Sequence, residues 1–478
     1  MKELSLLPFH LFKIGGILMD GKKRIVRMIA LAVCLSAALA LSSCATSEAI
    51  SSGKGFTEIM NGLKCDLFGT DDQNCTPLQL TLPVREGFRP VQSKSAYASL
   101  KDETMKEAYR DIEDAIFMIS PERADNGCFE MKYARLKSSL QFDQIYIVKE
   151  AVLADHPEAF WVMSNYTVRN NFHDGNYLVL YSKYSADEIS AMSEELSSAI
   201  VPIISRIPDE AGELLRETII HDALVDELTY DFDAAEKDDS SHYAFNVYGA
   251  LVKKKAVCTG YAGSMKMLLN LVGIECRTAV GMSKNSGHMW NQVRLDGDWY
   301  NVDVTWDDSA ADSGILYSRY NYFNITDDRL AINHKTGADY SEMKCEYTED
   351  ELYVTTELYN FDLEKCTATK YNYYNMYAVH LDALNDASVD VITRKFISAA
   401  QERKELIYII FDDSVNAEEA EQWMSKNSGT QYSALGRSLS ASNKSGSAPK
   451  IKNCSLVRMS SGDDDIWNNL YAVRLMYA

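Results

Sequence analysis

The sequence predicts an α+β protein, and three observations carry that reading. Apolar residues recur at three- and four-residue steps through much of 99–235, the spacing of buried helix faces. Two strand-like runs, 288–295 and 298–306, flank Asp296-Gly297, the favoured pair for a tight type I′ hairpin turn. Beyond about residue 346 the pattern changes again, to short strand-like and helical segments in alternation. At 478 residues the chain exceeds what one core supports, so several domains are expected. The divisions fall at 1–43 (a leader), 44–98 (a tether and irregular segment), 99–235 (a mainly helical region), 236–345 (the core that carries the chemistry) and 346–478 (a small α+β domain).

Composition narrows the function. The chain is 46% apolar and 10% aromatic, as a packed globular protein is. Its net charge is −21 with only 48 Lys and Arg, and no long basic run follows residue 30. Nucleic acid is therefore not an expected partner, because phosphate neutralisation needs clustered cations. Ten cysteines in a chain this long, irregularly spaced, do not make a disulfide framework. No CxxC pair marks a structural zinc site, and no cofactor or metal is expected. Cys65 and Cys75 close a short loop and either bridge or stay as free thiols.

The leader reads as an address. Lys22-Lys-Arg24 and Arg27 precede an apolar run over 28–41 that only Ser36 interrupts. That run is too short to span a bilayer as a stable helix. It ends in Leu41-Ser-Ser-Cys44, which resembles a bacterial lipobox. The resemblance implies that Cys44 is lipidated and that the chain is exported and held on the bacterial cell membrane or outer membrane. Ordinary secretory cleavage is the alternative. Translation starts at Met1 or at Met19, since residues ahead of the basic stretch look superfluous. The Ser- and Gly-rich 45–55 then serves as a flexible tether.

From residue 99 the elements can be taken in order. Tyr109, Ile112, Ala115 and Ile116 define one helix face, and 140–154 a second helix that ends ahead of Asp155-His-Pro157. Residues 177–181 form a strand, and Ser185 with Glu188 caps a helix running towards Ile200. A longer helix over 208–229 places Leu214, Leu215, Ile219, Ile220, Leu224 and Leu228 on one face. His221 and Asp222 within it are read as packing residues, pointing away from one another. Residues 231–241 read as an acidic loop, 243–254 as a helix, and the lysines at 253–255 as its solvated end.

The chemistry lies just beyond. A thiol is a useful nucleophile only as thiolate, and a helix N-terminus favours that form. Cys258 stands where such a helix opens, with Tyr261, Met265, Leu268, Leu269 and Val272 on its buried face and Gly273 as cap. Gly260, Ala262 and Gly263 are small enough to admit a substrate backbone. A strand over 275–282, a loop over 283–287 and the hairpin follow. A two-residue turn at Asp296-Gly297 pairs positions whose numbers sum to 593, so Trp290 faces Asp303 and His288 faces Thr305. His288 and Asp303 then project from one sheet face as diagonal neighbours. This supplies nucleophile, base and orienting carboxylate. At least two of Trp290, Trp299 and Trp306 are read as packing, and Asp307-Asp308 as a solvated turn.

Three segments carry a resemblance: Ala256-Val-Cys-Thr-Gly-Tyr-Ala262, Gly287-His-Met-Trp-Asn-Gln-Val293 and Trp299-Tyr-Asn-Val-Asp-Val-Thr-Trp306. In order and spacing they resemble the three motifs of the transglutaminase-like superfamily, over roughly 215–330. The resemblance implies a core related to papain-like cysteine peptidases, with Cys258 as nucleophile, His288 as base and Asp303 as its partner. It implies acyl transfer from an amide through a thioester, to water (proteolysis of protein or cell-wall peptide) or to an amine (cross-linking). A peptide or protein substrate would then be the partner. The calcium-binding regions and β-sandwich domains of animal cross-linking enzymes are not evident in this sequence. The rival from another class is a non-catalytic binding or scaffold module on the same fold.

In the last third, 317–325 completes the core. Residues 370–379 read as a tyrosine-rich strand, with Tyr371, Tyr373 and Tyr374 used for core or interface packing, the alternative being stacking on carbohydrate. Residues 389–403 read as a helix or a strand and helix, 406–411 as a buried strand, 416–426 as a helix, 438–449 as a polar loop and 470–475 as a final strand.

Overall fold

The computed structural model describes residues 74–478 apart from 138, 172–174, 238–241, 284–285, 313–317, 338–343, 348–351, 356–360, 427–431, 447–448, 460–465 and 468. The leader, Cys44, the tether and Cys65 lie outside the described residues, while Cys75 carries a free thiol. Among the described residues no helix is long and apolar enough to cross a membrane.

The segment ahead of the core mixes helices with a sheet. Helix α1 (Glu103–Ala115) opens on Asp102, whose carboxylate accepts from the Thr104 N–H, and it buries Met105, Ala108, Tyr109, Ile112 and Ala115. Helix α2 (Phe142–Asp155) stops ahead of His156-Pro157, as proline requires. Strands β1 (Thr76–Pro77), β2 (Met118–Arg123), β3 (Phe129–Met131), β4 (Ala134–Leu136), β5 (Tyr166–Asn171) and β6 (Gly175–Ser182) form one six-stranded sheet. Only β6 was legible in the residues, because the others are short and polar and show no sustained alternation.

Helix α3 (Ala186–Ser205) carries the expected capping box: Ser185 accepts from the Glu188 N–H and Glu188 from the Ser185 N–H. Helix α4 (Glu213–Glu227) buries Glu217, Ile220, His221, Ala223, Leu224 and Val225 and leaves Leu215 exposed. Two core positions are thus polar, which a purely apolar face did not foresee. Asp231 accepts from the Ala234 N–H and starts helix α5 (Phe232–Lys237), where a loop was expected. Strands β7 (Thr229–Tyr230) and β8 (Lys255–Ala256) pair in parallel and set Tyr230 beside Ala256.

Helix α6 (Cys258–Leu271) packs on a four-stranded antiparallel sheet in the order β11-β10-β9-β12. These strands are β9 (Cys276–Ser283), β10 (Ser286–Leu295), β11 (Asp298–Val302) and β12 (His334–Thr336). Asp296 and Gly297 both have positive φ, 49° and 93°, the signature of a type I′ turn. The register has the expected sum, from Leu295 opposite Asp298 to Asn291 opposite Val302. There the ladder ends. Residues 304–306 belong to helix α7 (Val304–Asp312), not to a strand, because the Asp303 carboxylate caps them by accepting from the Trp306 N–H at 3.1 Å. Asp307 and Asp308, read as a solvated turn, are buried in that helix.

Strands β13 (Lys344–Tyr347) and β14 (Leu352–Thr355) pair antiparallel. Residues 373–377 form helix α8 (Tyr373–Tyr377), opened by Asn372, rather than a strand. Tyr373 stacks on Tyr320 at 3.7 Å and Tyr374 is fully buried, so these tyrosines pack as expected. The last sheet runs β15 (Val379–Leu381), β16 (Leu406–Phe411), β18 (Leu470–Tyr477), β17 (Ile451–Arg458). Helices α9 (Asp386–Gln401), α10 (Ala417–Ser425) and α11 (Ala434–Lys444) accompany it. The polar loop expected over 438–449 is largely α11, whose serines hide the face that buries Leu435 and Ser438. A second hydrophobic core, including Ile392, Phe396, Ile409 and Tyr471, lies on this sheet.

Candidate active site

Cys258 is the first residue of α6, and Val257 ahead of it supplies no side-chain cap. The first-turn N–H groups therefore point into the site with the positive end of the helix dipole. The thiol is free and only partly buried. Gly260 is where the helix meets 243–257: a Cβ there would sit 2.8 Å from the Ala244 carbonyl oxygen and 2.8 Å from the Ala256 Cβ. Its smallness serves this packing, not the approach of a substrate as expected from sequence.

The sheet is tied to the helix by one buried amide. Asn291 on β10 donates to the Ala262 carbonyl at 2.9 Å and the Arg277 carbonyl at 3.3 Å. A second tie runs from the Tyr261 hydroxyl on α6 to the Asp308 carboxylate on α7. Three residues before Asn291, His288 projects towards the start of α6. Its Nε2–H donates to Asp303 Oδ2 at 2.6 Å, and Nδ1 remains for the Cys258 thiol, which lies near enough to raise the ring's pKa. Cys258, His288 and Asp303 thus converge. Asp303 reaches the ring from one residue past the end of β11, rather than as the paired strand position expected.

The electrostatics follow from burial and these contacts. Burial disfavours charge on His288, but the Asp303 carboxylate and Cys258 outweigh it and raise the imidazole pKa to about 10. Burial would raise the Asp303 pKa, yet His288 and then His334 hold it well below the usual carboxylate range. Trp290 stacks on the His288 ring at 6.1 Å and Trp306 meets it edge-on at 6.3 Å. Trp290 is buried core, and Trp299 packs under the Arg277 guanidinium. Tyr230 lies close enough to feel Cys258 and Asp303. Burial, then those two groups, pushes its phenol up to about 12, so it stays a hydrogen-bond donor at neutral pH. Phe232, 63% exposed, meets Tyr230 edge-on at 4.9 Å.

Sequence reasoning missed His334. Its Nε2 lies 3.0 Å from Asp303 Oδ2 and its ring is buried against Trp290, Trp306 and Tyr322. No periodicity marks a lone histidine on a three-residue strand, so only tertiary pairing reveals it. Donor atoms of His288, Asp303 and His334 lie within 4.8 Å of one another, a spacing compatible with a metal. The 2.6 and 3.0 Å contacts are hydrogen-bond lengths on one shared oxygen, and they account for the cluster without an ion.

A second buried cluster lies on α4 and α7. His221 Nε2 is 3.0 Å from Asp307 Oδ2 and Nδ1 is 3.2 Å from Asp222 Oδ1, so His221 meets Asp222 rather than pointing away from it. Burial works against its charge, but the carboxylates raise its pKa to about 9. Its residues pack the helices and do not reach Cys258 by any hydrogen bond described, in keeping with a packing role.

An α6 helix presenting a cysteine to a sheet-borne histidine defines an α+β core of transglutaminase-like, papain-like type. Residues 205–304, which include all three converging side chains, match the transglutaminase-like superfamily, and the chain carries a domain of that superfamily. Kyphoscoliosis peptidase of Mus musculus is 31% identical over 149 residues, 28% of this chain and 22% of that protein. Its Homo sapiens counterpart is 31% identical over 139 residues, 26% of this chain and 21% of that protein. The chain thus spans about a fifth of the length of these curated relatives. A solved TGase structure matches at 16% identity with a TM-score of 0.23, covering 36% of this chain and 50% of that one.

Proposed function

We propose that the protein is a cysteine amidase that cleaves peptide bonds by acyl transfer through Cys258. The observation that carries this reading is the His288 ring, held by Asp303 at 2.6 Å and close enough to the Cys258 thiol for that group to raise its pKa. In the reaction, the Cys258 sulfur attacks the amide carbonyl as thiolate, its proton already resting on His288 Nδ1, as the raised imidazole pKa favours. The backbone N–H of Cys258 at the start of α6 stabilises the oxyanion. His288 then returns the proton to the leaving amine as the tetrahedral adduct collapses to a thioester. Water, deprotonated by His288, attacks the thioester, releases the acid and regenerates the thiol. Tyr230 and the exposed Phe232 offer an apolar lip beside the thiol for a peptide or protein substrate. Hydrolysis is preferred over transfer to an amine because the two curated relatives are named peptidases.

The same proposal places the protein outside the bacterial cell, anchored through a lipid on Cys44. Its support is the basic stretch, the apolar run and Leu41-Ser-Ser-Cys44.

The test is incubation of wild type and Cys258→Ala with a peptide library, with and without an added primary amine, followed by mass spectrometry. Cleavage products that need Cys258 are expected in both conditions. Amine adducts as the main product would replace hydrolysis by cross-linking. Identical products from wild type and Cys258→Ala would leave a binding or scaffold module as the better description.

A further inference from the structure

Asp303 carries more than the triad requires. Its Oδ1 accepts from the Trp306 N–H at 3.1 Å, and its Oδ2 faces two imidazoles, His288 at 2.6 Å and His334 at 3.0 Å. His334 comes from β12, which pairs with β9 on the far side of that strand from β10 and places His334 opposite Ser283. Gly281 makes that approach possible: a Cβ there would lie 2.1 Å from the Lys335 carbonyl oxygen and 2.6 Å from the Trp290 ring. A side chain at 281 would push β12, and His334 with it, away from Asp303.

The other His334 nitrogen is also engaged. Nδ1 lies 2.6 Å from the Asn333 side-chain oxygen position, and the Asn333 nitrogen position lies 2.7 Å from the Tyr322 hydroxyl. Asn333 Nδ2–H donates to the Tyr322 hydroxyl and its Oδ1 faces His334 Nδ1, so the amide beside the ring is itself held, while His334 Nε2–H donates to Asp303.

We propose that His334 is a positioning residue of the active site, a second imidazole that donates to Asp303 and holds its carboxylate against the His288 ring. The inference rests on the reading of Cys258, His288 and Asp303 as the reacting set. Asp303 has hydrogen bonds fixing both oxygens, so the carboxylate cannot turn away when His288 moves between its proton-loaded and proton-free states. His334 also shares the carboxylate's charge, so His288 is left able to release its proton to a leaving amine. The titratable groups around the His334–Asp303 contact are His288 on β10, Cys258 at the start of α6, Tyr230 on β7, Asp307 on α7 and Tyr322 ahead of β12, with the Asn333 amide beside them.

The test uses iodoacetamide on the intact chain, with alkylation of Cys258 followed by peptide mass mapping across pH 5.5–9.5. His334→Phe keeps the buried ring and removes the donor. His334→Gln places an amide N–H near the Nε2 position. His334→Phe is expected to slow alkylation at pH 6.5 about ten-fold, equivalent to roughly 1.4 kcal/mol, and to change the shape of the pH profile. His334→Gln is expected to stay within about three-fold of wild type. Wild-type rates and profile in His334→Phe, or an equal loss in both variants, overturn the proposal. His288→Gln is the control for the underlying reading: if it leaves alkylation unchanged, the Cys–His pair itself fails and His334's role falls with it. Should His334→Phe not fold, nitrogen-15 NMR of wild-type imidazoles decides: a His334 protonated at Nε2 supports the proposal, and one bare at Nε2 overturns it.

Discussion

Replacing Asp303 by asparagine separates the two jobs of one side chain. Asparagine caps helices about as well as aspartate, so the bond to the Trp306 N–H at the start of α7 should survive. What disappears is the negative charge 2.6 Å from His288 Nε2. The rise of the His288 pKa from an ordinary 6.5 to about 10 corresponds to roughly 5 kcal/mol of preference for the charged ring. Against it stands burial, which by itself lowers the value. Asp303 is the largest favourable influence and Cys258 the next. Without the carboxylate, burial dominates, and His288 is expected to titrate below pH 7.

The consequence for stability has a definite sign. His288 has its pKa raised by folding, so its stabilisation is complete below about 6.5 and is lost as pH rises through about 10. Asp303 is depressed by folding, so its share is present above the usual carboxylate range and is lost in acid. The stability gap between wild type and Asp303→Asn should therefore be widest near pH 5–6.5, on the order of a few kcal/mol, and narrow steadily towards pH 10. NMR titration of the His288 ring and urea midpoints at pH 6, 8 and 10 measure both effects. Acylation should fall by roughly 10³–10⁴, because an asparagine N–H facing Nε2 favours the imidazole tautomer that cannot take the thiol proton. A His288 titration within one pH unit of wild type, in a folded variant, would refute the electrostatic account.

Two other substitutions test the frame around the site. Glu217 is wholly buried, and burial pushes its pKa to about 8 despite a 2.8 Å hydrogen bond from Asn324. Being held neutral, it costs stability once the unfolded chain ionises, so Glu217→Gln should raise stability by about 2–3 kcal/mol at pH 7.5 and lose that advantage by pH 4.5, read from urea midpoints. Gly260→Ala sets a methyl 2.8 Å from the Ala244 carbonyl oxygen, so it should destabilise by about 1–3 kcal/mol and slow Cys258 alkylation by tilting α6, seen in thermal melts and alkylation rates together.

Much of the site was legible because its parts are local. The Asp296-Gly297 turn determines the hairpin register, and that register carries His288 and the approach to Asp303 without any knowledge of the rest. The helix after Cys258 announces itself by its buried face and ends at Gly273, whose φ of 84° only glycine adopts easily. The errors come from signals that compete over the same residues. Val302-Asp303-Val304-Thr305 reads as strand by β-branched content, yet the Asp303 carboxylate wins by capping α7. Glu217, Ile220, His221 and Leu224 share one helix face, so periodicity applied to polar as well as apolar residues places His221 and Glu217 in the core.

What no local rule reveals is what β12 brings. His334 reaches Asp303 only because β9 accepts partners on both edges, and because Gly281 leaves space for the Lys335 backbone. The substitution that tests this contribution without touching a polar group is at Gly281. Alanine there would collide with the Lys335 backbone and with the buried Trp290 ring, so β12 or the ring stacked on His288 must yield. The physical link between an unremarkable glycine and the triad is therefore geometric. It sets how close a second sheet edge can come, and that closeness decides whether Asp303 is held by one imidazole or by two.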